Sequence, residues 1–260
     1  LNWQEKVRKN VRKIMDFEHV KAVFEEYLNG YDRENDKVKL KIVHTYGVIR
    51  CSEEIGRRMG LQAEDMELAK LIALLHDIGR FEQLKRFNSF EADTMDHATY
   101  GVQVLFEEGM IRQFIEEDTW DDVIRTAIAK HSDYELTGIT DERTLLHARL
   151  IRDADKLDNC RVKLEDAMET LLDLSADEVG KYAISPKVRE DAFAGKCICS
   201  KDRRTPMDYW VSYVAYFYDL NFRETLDIVA EEQYVKRIIG RVPYTNEQTK
   251  KTMEELERQL

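Results

Sequence analysis

The sequence predicts an all-α protein, on three observations. Apolar residues recur every three to four positions through most of the chain, which is the spacing of amphipathic helices. Only 3 prolines and 11 glycines occur among 260 residues, so long segments are free to be helical. An apolar helix at 68–75 runs directly into His76 and Asp77, two polar residues that need partners once they are removed from water. A metal ion would satisfy both residues at once.

The composition is that of an ordinary folded protein and argues against several classes of function. Apolar residues make up 43% of the chain and charged residues 35%, which disfavours disorder. A net charge of −11 argues against a protein that wraps a nucleic-acid polymer, although a basic pocket for a small phosphorylated molecule stays compatible with it. No apolar run approaches the ~18 residues of a membrane span, and the N-terminus lacks the apolar region of a secretory signal. We therefore expect a cytoplasmic protein without a membrane partner.

Two amphipathic segments open the chain. Apolar spacing from Trp3 to Leu28 predicts one helix or a kinked pair, which Asn29 and Gly30 end. A second helix is expected over 36–59, closed by Gly60. It carries His44 on a partly apolar face, where a lone histidine is more often a core residue than a ligand.

The middle of the chain supplies further candidate site residues. The mixed composition of 80–93 predicts a loop over the site, with a short helical turn within it as an alternative, and Arg80 and Arg86 there either contact phosphate or are simply solvated. Helices at 97–108 and 120–131 follow, with His97 in a first turn and His131 two turns after a buried isoleucine on the same stripe. A helix that opens near Thr140 then delivers Asp155.

Other histidines and the cysteines are given structural roles. His19 has no polar partners at a suitable spacing. His147 precedes Asp155 by eight residues, about 12 Å along a helix, which is too far for a shared ion. The four cysteines show no paired zinc spacing, and the pair at 197 and 199 is predicted to be structural.

The last third of the chain is predicted to be a helical extension. Residues 175–204 are of mixed character, and their basic run at 201–204 is typical of a solvated surface, although it could meet a phosphate. An aromatic stripe follows, predicted to pack in the core or to form a dimer contact: Trp210, Tyr213, Val214 and Phe217. We expect a core at 1–175 and an extension at 176–260 packed on it, with a homodimer as an open expectation.

The order of a histidine, a His-Asp pair and a late aspartate resembles the HD superfamily of metal-dependent phosphohydrolases. His44, His76, Asp77 and Asp155 occupy these positions, in the motifs His-Asp-Ile-Gly-Arg and Asp-Ala-Asp-Lys-Leu-Asp. The resemblance covers about 37–175, roughly half of the chain. It implies a helical HD-domain bundle in which these four residues hold one divalent ion with positions left open for water.

The same resemblance implies a second ion. Many HD families add two histidines between the His-Asp pair and the last aspartate, and His97 and His131 fall in that interval. Asp77 would then bridge the two ions; alternatively, the two histidines contact substrate or support the ligands. Imidazole and carboxylate donors suit manganese, iron, cobalt, nickel, zinc or magnesium, one or two ions per chain.

The resemblance further implies hydrolysis of a nucleotide or another small phosphorylated metabolite by metal-activated hydroxide. Asp77 and Lys156 are the candidate catalytic residues: Asp77 as a ligand rather than a general base, and Lys156 as a donor to a phosphate oxygen or, alternatively, a snorkelling surface lysine. Arg80 and Arg86 are the other candidate phosphate contacts, and no general acid is evident. The Gly-Tyr-Pro signature of the branch that cleaves cyclic dinucleotides is missing, which disfavours that substrate.

Two alternatives to hydrolysis stay open. Some HD relatives with four histidines and two aspartates are di-iron oxygenases, and the bound metal and oxygen consumption discriminate them from hydrolases. The other alternative is a non-enzymatic module that binds metal and nucleotide and regulates a partner through the aromatic stripe. An intact ligand set counts against this module, since a binding protein need not keep an open metal position.

Overall fold

The computed structural model describes residues 15–91 and 93–260, and all regular secondary structure in these ranges is helical, which confirms the all-α prediction. The first part of the predicted N-terminal helix, with Trp3, lies outside the described residues. The α-helices are α1 (Phe17–Leu28), α2 (Asp36–Met59), α3 (Ala63–Leu75), α4 (Ile78–Phe87), α5 (His97–Val102), α6 (Ile111–Phe114), α7 (Asp121–Lys130), α8 (Glu142–Glu165), α9 (Met168–Leu172), α10 (Ala176–Val179), α11 (Pro186–Phe193), α12 (Pro206–Ala215), α13 (Arg223–Glu231), α14 (Tyr234–Ile239) and α15 (Glu247–Gln259).

The long helix α2 forms the centre of the bundle and packs against α3 and α8, while α8 also packs against α7. The Asn35 side chain accepts hydrogen bonds from Lys37 N and Val38 N, which caps the first turn of α2. Gly60 ends the helix with a φ of +73°, a conformation that favours glycine. Both ends of α2 therefore lie where the sequence predicts them. The packing brings the middle of α2 against the middle of α8.

The predicted loop at 80–93 is wrong for its first half. Helix α4 extends to Phe87, and its Phe81 and Leu84 are buried on one face. On the outer face Arg86 donates to Glu82 at 2.7 Å, an i, i+4 pair that supports the helix. The buried apolar face of α4 consists of only a few residues. Polar residues separate them, so the helical spacing of the apolar residues is not apparent from the sequence. Non-helical chain begins at Asn88, whose φ is +47°.

The C-terminal helices share one hydrophobic core with the N-terminal bundle. Helix α13 packs against α2 and α8, and α14 packs against α8. The buried carboxylate of Asp153 accepts hydrogen bonds from Asn221 N, Phe222 N and Thr225 Oγ1, and so holds the start of α13 on α8. The division at residue 175 stays a prediction, because the packing is continuous across it.

The aromatic stripe that starts in α12 faces mostly inward. Trp210 and Val214 on α12 and Phe217 just after it are buried, and Tyr213 is half-buried and lines a cleft within the chain. The three buried side chains pack within their own chain, so they offer no face to a second copy. The homodimer stays a prediction, and these side chains do not support it.

Among the described residues, none of the helices combines the length and the apolar character that a membrane crossing requires.

Candidate metal centre

Five structural elements bring the six candidate ligands to one place. The ligands are His44 in the middle of α2, His76 and Asp77 between α3 and α4, His97 at the start of α5, His131 at the end of α7 and Asp155 in the middle of α8. Five of the six are buried, and Asp155 is about a quarter exposed. Part of this convergence depends on the close approach of α4 and α5. A Cβ on Gly79 would lie 2.2 Å from the His97 carbonyl oxygen. Glycine at 79 therefore lets α4 and α5 approach closely enough to bring His97 beside Asp77.

The first group of ligands surrounds His76. His44 Nε2 lies 2.9 Å from Asp155 Oδ1, and His76 Nε2 lies 3.7 Å from the same oxygen. His76 Nε2 also lies 3.5 Å from Asp77 Oδ2. These four side chains form one cluster of imidazole nitrogens and carboxylate oxygens.

The second group surrounds the other oxygen of Asp77. His97 Nε2 lies 3.2 Å from Asp77 Oδ1, and His131 Nε2 lies 3.6 Å from it. The two Nε2 atoms of His97 and His131 are 3.1 Å apart. Asp77 thus contributes one carboxylate oxygen to each group, which is the arrangement of a bridging ligand.

The hydrogen bonds of the rings direct the nitrogen lone pairs inward. His76 Nδ1 donates to the Ala73 carbonyl and His131 Nδ1 donates to the Ile128 carbonyl, each at 2.7 Å. Because a carbonyl only accepts, these rings carry their proton on Nδ1 and leave Nε2 unprotonated. His44 Nδ1 donates to Asp158 Oδ2 at 2.8 Å in the same way. Metal-binding histidines in proteins are commonly held by this outward hydrogen bond.

These residues fit a divalent metal. The buried His76 Nε2 has no hydrogen-bond partner within the described part of the chain. His97 Nε2 accepts a hydrogen bond from Arg80 Nη2 at 2.9 Å, so this nitrogen is also unprotonated, and it lies 3.1 Å from the unprotonated Nε2 of His131. Two unprotonated nitrogens at this distance repel, and a cation between them would remove that repulsion. Because His97 Nε2 has a single lone pair, binding an ion would replace its hydrogen bond from Arg80. Donors at ~2.1 Å from one ion lie roughly 3 Å apart when they are neighbours, close to the separations in both groups.

The electrostatics keep the donors in their metal-binding forms. Burial favours a raised pKa for Asp77, but the charges of Lys41 and Arg80 outweigh it and hold the pKa of that carboxyl well below its usual range. Lys41 Nζ lies 2.6 Å from Asp77 Oδ2. Burial and the nearby Arg80 lower the pKa of His97 to about 3. At neutral pH the centre therefore offers an ionised bridging carboxylate and a neutral imidazole.

A cleft of about 820 Å³ opens above the centre, and the candidate substrate-binding residues differ in their relation to it. Arg80 lines the cleft and is fixed by hydrogen bonds from Nη1 to Gln83 Oε1 and the Phe90 carbonyl. Lys156 also lines it and pairs with Asp219 at 2.7 Å. Arg86 is on the outer face of α4, where it pairs with Glu82 and lies over the Tyr100 ring. The structure therefore places Arg86 away from the cleft and gives no basis for its expected contact with phosphate.

Two residues near the centre were missed by the sequence reasoning, and a third residue of the cleft was assigned mainly to the surface. Asp158 orients His44 and in turn accepts from Arg161 Nε at 2.9 Å. Lys41 is on the same face of α2, three residues before His44, and this spacing could have indicated it. Arg203 belongs to the basic run at 201–204, for which a solvated surface was expected and a phosphate contact was the alternative, and it lines the cleft. No local pattern reveals that position, since it depends on how the C-terminal extension folds back.

The other residues considered from the sequence stand apart from the ligand groups. His19 is exposed on α1, and its Nε2 contacts the Gln113 carbonyl at 2.9 Å. His147 is buried and pairs with Asp65 at 3.0 Å. Both placements are those of packing or surface residues. Cys197 and Cys199 are free thiols on the wall of the cleft.

Gly47 is required for the support of His44. A Cβ at Gly47 would lie 1.9 Å from Asp158 Oδ1, so Gly47→Ala displaces the carboxylate that holds His44 Nδ1. We expect metal affinity to fall about 10- to 100-fold, the usual effect of losing such a support. Metal titration by calorimetry checks this, with Gly30→Ala as the control, since a Cβ there meets only an ordinary contact at 3.5 Å. Unchanged affinity in a folded Gly47→Ala protein would show that Asp158 does not position His44.

Comparison with known proteins agrees with this geometry. A family model described as HD domain matches residues 42–160, a range that includes all six candidate ligands. Ribonuclease Y of Acetivibrio thermocellus is 30% identical over 165 residues, covering 60% of this chain and 27% of that protein. The chain thus spans little more than a quarter of the length of that relative. No solved structure matches the chain.

Proposed function

Because the chain carries an HD domain at residues 42–160, as the motifs indicate, we propose that it is a metal-dependent phosphohydrolase. Its substrate is a phosphate ester or anhydride of a nucleotide or another small phosphorylated metabolite. The observation that carries the proposal is the pair of His/Asp groups that share Asp77, at the base of a cleft lined by Lys and Arg side chains. The His and Asp side chains supply the metal site, and the Lys and Arg side chains supply affinity for a phosphorylated molecule.

The protein residues have distinct tasks in this reaction. Divalent ions, when bound, would supply a water of lowered pKa and would neutralise charge on the phosphoryl oxygens. Asp77 would be a ligand of both ions, and its low pKa makes it a poor proton acceptor. Arg80, held by Gln83 and the Phe90 carbonyl, presents its guanidinium beside Asp77 and orients a phosphoryl oxygen. Lys156 is the second donor to phosphate, with its charge partly balanced by Asp219.

The substrate is proposed to be small rather than a polymer. The relative's name describes a ribonuclease, so RNA is the other substrate to test. The net charge of −11 repels a polyanion over most of the surface, whereas the cleft is lined by 8 basic and 7 acidic side chains and so lacks this excess of negative charge. A short phosphorylated molecule meets only the cleft, which favours it over a long strand.

The test is phosphate release from a panel of nucleotides and sugar phosphates by protein loaded with manganese, iron, cobalt, nickel, zinc or magnesium. RNA cleavage and oxygen uptake are measured in parallel on the same preparations. We expect metal-dependent phosphate release from at least one small substrate. If RNA alone is cleaved, the substrate is a polymer rather than a small molecule. If two irons are bound and oxygen is consumed without phosphate release, the protein is an oxygenase rather than a hydrolase.

His131→Ala tests the second ion. The variant removes one imidazole from the group formed with Asp77 and His97, so we expect bound metal to fall from two ions per chain to one. Elemental mass spectrometry of the purified protein measures the stoichiometry, and His19→Ala, a change on the exposed face of α1, is the control. Two ions retained per chain in His131→Ala would remove His131 from the ligand set.

A further inference from the structure

The residues of α8 on either side of the candidate ligand Asp155 contact one carboxylate of the C-terminal extension. Arg152 Nη2 donates a hydrogen bond to Asp219 Oδ2 at 2.6 Å, and Lys156 Nζ pairs with the same oxygen at 2.7 Å. Arg152 and Lys156 are four residues apart, so they lie on one face of α8. Asp219 therefore lies over the part of α8 that supplies Asp155.

Asp219 is held in place independently of Lys156. It ends the short 3-10 helix Tyr216–Asp219, and two residues later Asn221 N donates to the buried Asp153 carboxylate at 2.9 Å. Asn221 Nδ2 donates to the same carboxylate at 2.7 Å. The chain is thus attached to α8 immediately after Asp219, and this attachment fixes the position of the Asp219 carboxylate.

Arg152 provides a second, buried attachment for Asp219. Arg152 is only 3% exposed, and its Nη1 donates to the Lys130 carbonyl at 3.2 Å and to the His131 carbonyl at 3.3 Å, at the end of α7. Its Nη2 is the nitrogen that donates to Asp219. Because a guanidinium is planar, acceptors on both of these nitrogens fix its orientation. Asp219 therefore belongs to a rigid network that includes the chain at His131.

Lys156, in contrast, is a flexible side chain that depends on a partner for its position. A lysine has a long flexible stem, and holding it in one conformation costs rotamer entropy. Lys156 lines the same cleft as Asp155, and in the part of the chain that the structure describes its ion-pair partner is Asp219. An ammonium carries several N–H donors, so one contact with Asp219 leaves others for a phosphate oxygen.

We propose that Asp219 is a positioning residue, which holds the Lys156 ammonium in the cleft where it donates to a phosphate oxygen of the substrate. The C-terminal extension thereby completes the phosphate-binding site that α8 begins. This inference rests on the proposed phosphohydrolase function and adds a residue to its site. Asp219 acts through Lys156 rather than on the substrate.

The test is a double-mutant cycle in which calorimetry measures the affinity of the metal-loaded protein for inorganic phosphate. Asp219→Asn and Lys156→Met are each expected to weaken phosphate binding about tenfold, the scale of one hydrogen bond to a charged group. The double variant is expected to bind phosphate no more weakly than Lys156→Met, because Asp219 has no effect without the lysine. Asp227→Asn, a change of an exposed carboxylate on α13, is the matched control and keeps the affinity.

A carboxylate that only neutralises Arg152 would give a different pattern. Asp219→Asn would then lower Tm and leave phosphate affinity unchanged, or weaken it equally with and without Lys156, and either result would overturn the positioning role. Tighter phosphate binding by Asp219→Asn would also overturn it, since Asp219 would then hold Lys156 away from phosphate. If Asp219→Asn does not fold, Asp219→Glu keeps the charge beside Arg152 but moves the carboxylate, and is expected to weaken binding only when Lys156 is present.

The same proteins separate this inference from the proposed function. In an active hydrolase we expect Asp219→Asn to raise KM and to change kcat little, with no further rise in KM when Lys156 is already replaced. Coupled effects on phosphate affinity without hydrolysis of any substrate would keep the positioning role while the proposed function fails. Hydrolysis with independent effects of the two residues would keep the function and remove the positioning role, and a parent protein that binds no phosphate would remove both.

Discussion

Asp77→Ala is expected to lose bound metal and phosphohydrolase activity together, with activity at least 10³-fold below that of the parent protein. Asp77 gives one oxygen to the group around His76 and the other to the group around His97. Its removal therefore deletes a ligand from both ion positions. It also leaves Lys41 and Arg80 without their carboxylate, so their charges repel a divalent ion.

Metal content by elemental mass spectrometry and phosphate release measure the two effects on one preparation. Asp227→Ala, which removes a surface carboxylate on α13, is the control and is expected to keep both. If a folded Asp77→Ala protein keeps its metal and its activity, Asp77 is not a bridging ligand.

Asp153→Ala is expected to lower the free energy of unfolding by about 3–5 kcal/mol, because it leaves several buried donors without an acceptor. The Asp153 carboxylate is fully buried and accepts from Asn221 N and Nδ2, from Phe222 N and from Thr225 Oγ1. It therefore caps α13 and fastens the C-terminal extension to α8 at the level of Asp155. For a protein of this size the loss corresponds to a Tm about 6–20 °C lower.

Asp153→Asn is the matched variant, since it keeps one acceptor oxygen and is expected to lose less than Asp153→Ala. Thermal and urea unfolding followed by circular dichroism measure both. If Asp153→Ala unfolds within about 1 °C of the parent protein, the extension is held by apolar packing and this carboxylate contributes little.

The sequence predicted helix bounds best where the helical spacing of apolar residues continues over many residues. Helix α2 begins and ends at the predicted residues, because a buried stripe sustained over 24 residues leaves little ambiguity and Gly60 supplies a stop. Helix α4 was missed because its apolar stripe is short and mixed with charged residues. The π-helical segment Gln103–Glu107 after α5 was not anticipated either, since a local change of helical pitch has no sequence period of its own.

The candidate ligands could be predicted because their types and order are unusual, and tertiary contacts then explain their convergence. Asp158 was within the motif that supplied Asp155, but its role became clear only from the hydrogen bond to His44. Arg203 could not be placed from sequence, since about 48 residues separate it from Asp155 and only the folding of the extension brings it to the cleft. Basic side chains contributed by distant segments carry no local signature.

The most direct test of the account is metal-dependent phosphate release after chelation and reconstitution. Protein stripped of metal and reloaded with each divalent ion is assayed on small phosphorylated substrates, with oxygen uptake followed in the same reactions. We expect chelation to abolish phosphate release, at least one ion to restore it, and none of the ions to restore it in Asp77→Ala. Phosphate release that survives complete metal removal, or two bound irons with oxygen uptake and no phosphate release, would contradict it.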